Sequence, residues 1–157
     1  MGKTGRENQR EQRRAAREFM MKIVYQMDIA GRFVADEMDR YMAQGFADGE
    51  DVDPPEAAIP GLQRKYCEKV YTLICSNRED IDKNIEAHCR RWTLSRMPKT
   101  DLAVLRVAAC EILYMDDIPD AVSINEAVDL AKKYGTENSP SYVNGILGAL
   151  ASSKPEE

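Results

Sequence analysis

The chain has 157 residues, 43% of them hydrophobic and 31% charged, with a net charge of −5. That length suits one compact domain or two small helical lobes, and it is too short for an RNA-binding module joined to a full catalytic α/β domain. The balance excludes general disorder, the apolar runs are too short for a membrane-spanning helix, and the arginine-bearing start does not read as a secretory signal.

The charge is uneven. Residues 1–17 hold Lys3, Arg6, Arg10, Arg13, Arg14 and Arg17 against Glu7 and Glu11, a net of +4, so the rest of the chain carries −9. A basic arm on an acidic body points to a polyanion at one end. The cysteines Cys67, Cys75, Cys89 and Cys110 form no C-x-x-C pair, and His88 is the single histidine. That spacing predicts no metal site and no cofactor, but free thiols filling helical core positions in a reducing cytoplasm.

The elements are helical throughout. Phe19, Met20, Ile23, Val24 and Met27 recur at helical spacing, which predicts a first helix over about Glu7 to Ala30 with Gly31 as its stop. A second helix is expected over Arg32 to Phe46, with Val34, Met38, Tyr41 and Met42 on one face. The segment DGEDVDPPEAAIPG, within about 47–61, reads as an acidic exposed loop and is the one credible boundary between two lobes. A third helix, Leu62 to Asn77, buries Tyr66, Val70, Leu73 and Ile74. A fourth, Asp80 to about Trp92, carries Ile81, Ile85 and His88. Pro98 breaks the pattern, and Thr100 is expected to cap a fifth helix over Asp101 to Met115.

Ser123-Ile124-Asn125-Glu126 reads as a capping box opening a sixth helix, and Gly135 as its left-handed stop. Ser139-Pro140 opens a seventh, with Tyr142, Val143, Ile146, Leu147 and Leu150 inward. The tail over about 152–157 should fray. No stretch alternates apolar and polar residues. The expectation is an all-α fold of about seven helices, organised as a single domain over residues 1–157 with a basic arm at about 1–12.

Placed on a helical wheel, Arg6, Arg10, Arg13, Arg14 and Arg17 fall within an arc of about 100°, beside the buried stripe and not opposite it. The strip runs for roughly 16 Å and could track the phosphates of a single strand. Near the other end, Tyr134 and Tyr142 flank a polar turn at a helix start, where a phosphate or base edge could sit. Catalysis has little support. There is no phosphate-binding glycine loop and no nucleophile elbow, and His88 and Cys89, as adjacent helix residues, point about 100° apart.

Three segments together resemble one family. They are RRAAREFMMKIVYQMD (Arg13 to Asp28), DLAVLRVAACEILYMDDIP (Asp101 to Pro119) and INEAVDLAKKYGTENSPSYVNGILGAL (Ile124 to Leu150). The chain is similar to the NusB family of transcription antitermination factors, most specifically in the third segment. The resemblance implies two small helical bundles packed side by side and a binding protein with no enzymatic activity. It implies as partners boxA RNA, NusE (a small-subunit ribosomal protein) and the RNA polymerase antitermination complex. It implies RNA contact through Arg10, Arg13, Arg14 and Arg17 and through Asn138, Ser141 and Tyr142. It assigns the NusE face to Tyr25 and Asp101.

Relatives often carry three consecutive basic residues where this chain has Arg13-Arg14-Ala15. They often have an acid at the position of Asn138 and a base at that of Ser141. If four arginines each neutralise a phosphate, log K should fall with log salt at a slope of roughly −3. Two other readings stay open: the RNA-targeting fragment of a ribosomal RNA methyltransferase, and a homodimeric helical adaptor. Self-association is compatible with the family as well.

Overall fold

The computed structural model describes residues 4–44, 63–90 and 93–155. The acidic loop expected at 47–61 lies outside them, as do Phe46 and Trp92, where two expected helices were to end. Among the described residues the order is α1 (Gly5–Ala30), a 3-10 turn (Ala35–Glu37), α2 (Met38–Met42), α3 (Arg64–Ala87), a second 3-10 turn (Leu94–Arg96), α4 (Lys99–Tyr114), α5 (Asp120–Tyr134) and α6 (Ser139–Ser152). No strand occurs among them, and none of their helices is long and apolar enough to cross a membrane.

α1 begins where Thr4 Oγ1 accepts from the Glu7 N–H at 3.2 Å. It stops where Gly31 turns left-handed at φ 70°, its N–H on the Asp28 carbonyl and that of Arg32 on the Met27 carbonyl. Glycine takes that conformation without a Cβ clash, so the helix ends as the sequence predicts. Met20, Ile23, Val24 and Met27 form the buried stripe.

The expected third and fourth helices are one helix. α3 continues through Asn77, whose backbone leaves helical values (φ −124°, ψ 17°) and kinks it. The Asn77 amide donates to the Leu73 carbonyl at 2.9 Å, so the side chain replaces a backbone donor locally and the helix bends without ending.

α4 is the shared centre. Every residue from Asp101 to Ile112 is buried, as expected of a helix enclosed on all sides. It packs on α1 and α3 to one side and on α5 and α6 to the other. The result is two small helical bundles joined along one helix, the all-α arrangement anticipated from the sequence.

Four local expectations fail where packing overrides a local signal. The helix expected from Arg32 to Phe46 is, among the described residues, a 3-10 turn over Ala35–Glu37 and the short α2 over Met38–Met42. Thr100 does not cap α4, which starts at Lys99 behind Pro98. Ser123 does not cap α5, which starts at Asp120 behind Pro119; the Ser123 hydroxyl lies inside and donates to Glu111 at 2.8 Å. Gly135 is not left-handed but extended (φ −93°, ψ −166°). A Cβ there would lie 2.5 Å from the Ser139 Cβ and 2.7 Å from the Ala131 carbonyl oxygen, so the glycine is required by close approach. Beyond α6, Lys154 does not hang free. Its Nζ donates to the Ile112 carbonyl at 3.1 Å and pairs with Asp120 at 2.8 Å.

Candidate nucleic-acid interface

The arginines of α1 separate into four kinds. Arg6 and Arg10 are exposed. Arg13 is half-buried and held in place: its Nε donates to Gln63 Oε1 at 2.6 Å, and its guanidinium lies 4.3 Å from the centre of the Tyr66 ring. Arg14 is exposed but tied to α5, with its Nε on Glu126 at 2.8 Å and a second contact to Asp129.

Arg17 is the correction. It is 5% exposed and inside the protein. Its Nε and Nη2 donate to the two Glu111 carboxylate oxygens at 2.8 and 3.0 Å. Tyr66 donates its phenol proton to the same carboxylate at 2.5 Å, and Ser123 donates to it at 2.8 Å. Burial works against the Arg17 charge, and the Glu111 hydrogen bonds and charge outweigh it, holding the guanidinium pKa above its ordinary value. Burial and the neighbouring Glu111 charge push the Tyr66 phenol well above its usual range, so it stays a donor. Arg17 therefore ties α1 to α4 and offers no free fork to a phosphate. The wheel placed it only 60° from Arg14, and it is the third dimension that puts one outside and the other within.

Arg6, Arg10 and Arg13 line one wall of an open groove of about 770 Å³. The opposite wall is built from Ile118, Pro119, Val122 and Asn125, with Arg17 and Gln63 also lining it. Sequence reasoning missed Glu111, Tyr66, Gln63 and Ser123 as the parts that organise this end. One signal was available: Glu111 and Arg106 are charges within the apolar run of α4, and a charge there must find a partner. Arg106 does so toward α3, with a two-pronged pair to Asp82 at 2.9 Å on both oxygens.

The second expected patch sits at the other end of α4. Asp101, near the start of that helix, is 2% exposed. It accepts from Ser139 Oγ at 3.0 Å, and Ser139 Oγ in turn accepts from the Thr136 N–H at 2.9 Å. Burial raises the Asp101 carboxyl above its usual range, and the Ser139 hydrogen bond opposes this. Asp101 thus fixes the turn before α6 and does not face outward as a partner contact would. Asn138 is exposed at the end of that turn and Ser141 in the first turn of α6. Ser141 and Tyr142 line a groove of about 420 Å³ with His88 and Arg90. The Tyr142 hydroxyl donates to Cys89 Sγ at 3.7 Å, and burial raises its pKa. From Asp101 to Glu111 is roughly 15 Å along the helix axis, so the two patches are joined by the length of α4.

Tyr25 is 38% exposed. It lines a shallow groove with Met21, Lys22, Gln26, Thr100 and Tyr134. Ile29, one turn further along α1, is 57% exposed, and the two side chains lie on the same face. Cys67 and Cys110 are buried, and burial pushes both thiols up to about 12. Among the described residues no three His, Cys, Asp or Glu side chains converge as a metal set.

The geometry can be set against known proteins. The family model described as NusB family matches residues 14–152. A relative named transcription antitermination protein NusB, from Clostridium novyi (strain NT), is 39% identical over 138 residues, covering 88% of this chain and 96% of the relative. A protein of the same name from Geotalea daltonii (strain DSM 22248 / JCM 15807 / FRC-32) is 37% identical over 148 residues, covering 92% and 97%. The solved structure of T. maritima NusB superposes with a TM-score of 0.72 at 31% identity, covering 90% of this chain and 91% of that one. A NusB solved with NusE and double-stranded RNA gives a TM-score of 0.70 at 22% identity, covering 92% and 98%, a likeness of fold. On the profile match, the identities and their coverage, this chain belongs to the NusB family.

Proposed function

We propose that the protein is a non-enzymatic transcription antitermination factor that binds boxA-type single-stranded RNA of ribosomal RNA leaders together with NusE, within an RNA polymerase antitermination complex. The observation that carries the reading is the row of outward arginines on α1, Arg6, Arg10 and Arg13, lining an open groove in a chain whose relatives bear the antitermination name. Guanidinium groups fix phosphates, and polar or aromatic groups read unstacked bases. Arg14 joins them once an RNA phosphate displaces Glu126 and Asp129. Asn138, Ser141 and Tyr142, beside His88 and Arg90, extend the surface along α4. Arg17 acts from inside, by holding α1 against α4. Tyr25 and Ile29 supply the exposed apolar face for NusE, an apolar strip on a polar helix being the usual mark of a docking face. Asp101 supports that face from behind Thr100.

The test is anisotropy of a labelled boxA-type RNA across a salt series, with and without NusE. Arg6, Arg10, Arg13 and Arg14 meeting four phosphates give a slope of log K against log salt of about −3, without any contribution from Arg17. Binding should tighten when NusE is added. A slope near zero removes the arginine row from the interface, and an affinity indifferent to NusE removes the joint complex.

A further inference from the structure

The arginine wall of α1 faces a wall of different chemistry. Across the groove lie Ile118 and Pro119 of the turn between α4 and α5, then Val122 and Asn125 on α5. Val122 is 42% exposed, an uncovered apolar side chain opposite guanidinium groups. The acidic residues of the groove, Asp117 and Glu126, belong to this same far side. Asp117 repels a second row of negative charge and Glu126 is paired with Arg14 of α1, so a polyanion has its charged edge confined to α1.

Both walls are set before anything binds. Arg17 on α1, Glu111 on α4 and Ser123 on α5 meet in one buried hydrogen-bonded cluster beneath the groove. Ser123 adjoins Val122, and the Val122 N–H donates to the Pro119 carbonyl at 3.0 Å. The Ile118 N–H donates to the Met115 carbonyl at 3.1 Å, which closes the turn. A groove fixed from below loses little entropy when filled.

We propose that this groove seats an unstacked nucleobase of the bound RNA. Its phosphates lie on Arg6, Arg10 and Arg13, one face of the base packs on Pro119 and Val122, and Asn125 reads the base edge. A nucleotide has that division of chemistry: an anionic edge, an apolar face, and a rim of donors and acceptors that a carboxamide can meet both ways. The inference rests on the RNA reading above and adds to it the element that contacts bases.

The experiment uses the full chain and a labelled single-stranded RNA carrying the boxA element, together with a set in which each nucleotide in turn is abasic. Val122 and Asn125 are exposed, so Val122→Ser and Asn125→Ala leave the core intact, which thermal melts verify. The unmodified protein should show one or two positions where removing the base weakens binding about tenfold. The double variant should bind intact RNA more weakly by a similar factor and become indifferent to base removal at those positions. Its salt slope should stay at the unmodified value, because no phosphate contact is lost, whereas Arg10→Gln should lower the magnitude of the slope by about 0.7. A double variant that binds intact RNA as well as the unmodified protein, or keeps its sensitivity at every abasic position, overturns the base seat alone. An Arg10→Gln protein with an unchanged slope overturns the interface, and the base seat with it.

Discussion

Glu111 shows what one residue can hold. It is 1% exposed and accepts hydrogen bonds from Arg17, Tyr66 and Ser123, so three elements converge on one carboxylate. Tyr66, fixed by that bond, presents its ring to the Arg13 guanidinium, so a buried acid orders an outward cation two contacts away. Replacing Glu111 by Gln strands the Arg17 charge inside the protein, and urea unfolding should register a loss of about 3–5 kcal/mol. A double change, Arg17→Met with Glu111→Leu, should recover much of it, since a buried ion pair is replaceable by apolar packing of similar volume. A loss below about 1 kcal/mol for Glu111→Gln would mean the cluster is not coupled as described. Glu111 as a buried charge was legible in the sequence; that its partner is Arg17 was not, because the two are 94 residues apart.

At the scale of the element, helix existence was easier to read than helix ends. The stripe of α1 follows from periodicity, since apolar residues spaced at three and four positions share a face, whereas the burial of α4 on every side comes from the helices packed around it. Ends are set by competition. A serine that could cap α5 turns inward because Glu111 needs its proton more than the first turn does. An asparagine that could end a helix bends α3 instead. Gly135 reads in sequence as a left-handed stop, but the structure requires glycine there because the Ser139 side chain and the Ala131 carbonyl crowd it. Gly135→Ala must therefore displace the start of α6, at a cost of about 1–3 kcal/mol in a thermal or denaturant melt. Because Ser139 is bound to Asp101, the same change should weaken RNA binding if the proposed contacts of Asn138, Ser141 and Tyr142 are made. An alanine variant as stable as the parent would place no constraint on that turn.

For the whole molecule, pH is the variable that reports how its two bundles are joined. Glu18 on α1 meets Lys133 and Tyr134 on α5. Burial opposes its charge, but the hydrogen bonds from Lys133 and Tyr134 and the charges of Lys133 and Lys22 prevail and hold its pKa below the ordinary carboxylate value. A carboxyl depressed on folding adds stability above its unfolded pKa and loses it as pH falls through the folded one. Glu18→Gln should therefore lower the melting temperature at neutral pH, and the gap should close on acidification below about pH 4. A gap that persists unchanged into acid would show that the pair contributes through packing and not through charge. Asp101 has the opposite sign. Its raised pKa means that its ionisation disfavours the fold as pH rises, so two carboxyls on either side of the α5–α6 turn respond to acid in opposite directions.

The sequence by itself determined the all-α class, the buried stripes, the family and the presence of a cationic row near the start of the chain. These are properties of spacing and composition, and they survive any particular packing. Only the tertiary structure decided which of those cations face water. Arg10, Arg13, Arg14 and Arg17 look equivalent on a wheel, yet one is exposed, one leans on a tyrosine, one is clamped by two carboxylates of α5 and one is buried against α4. The wheel cannot separate them, because a helix fixes the direction of a side chain while the neighbouring helices fix what it meets there.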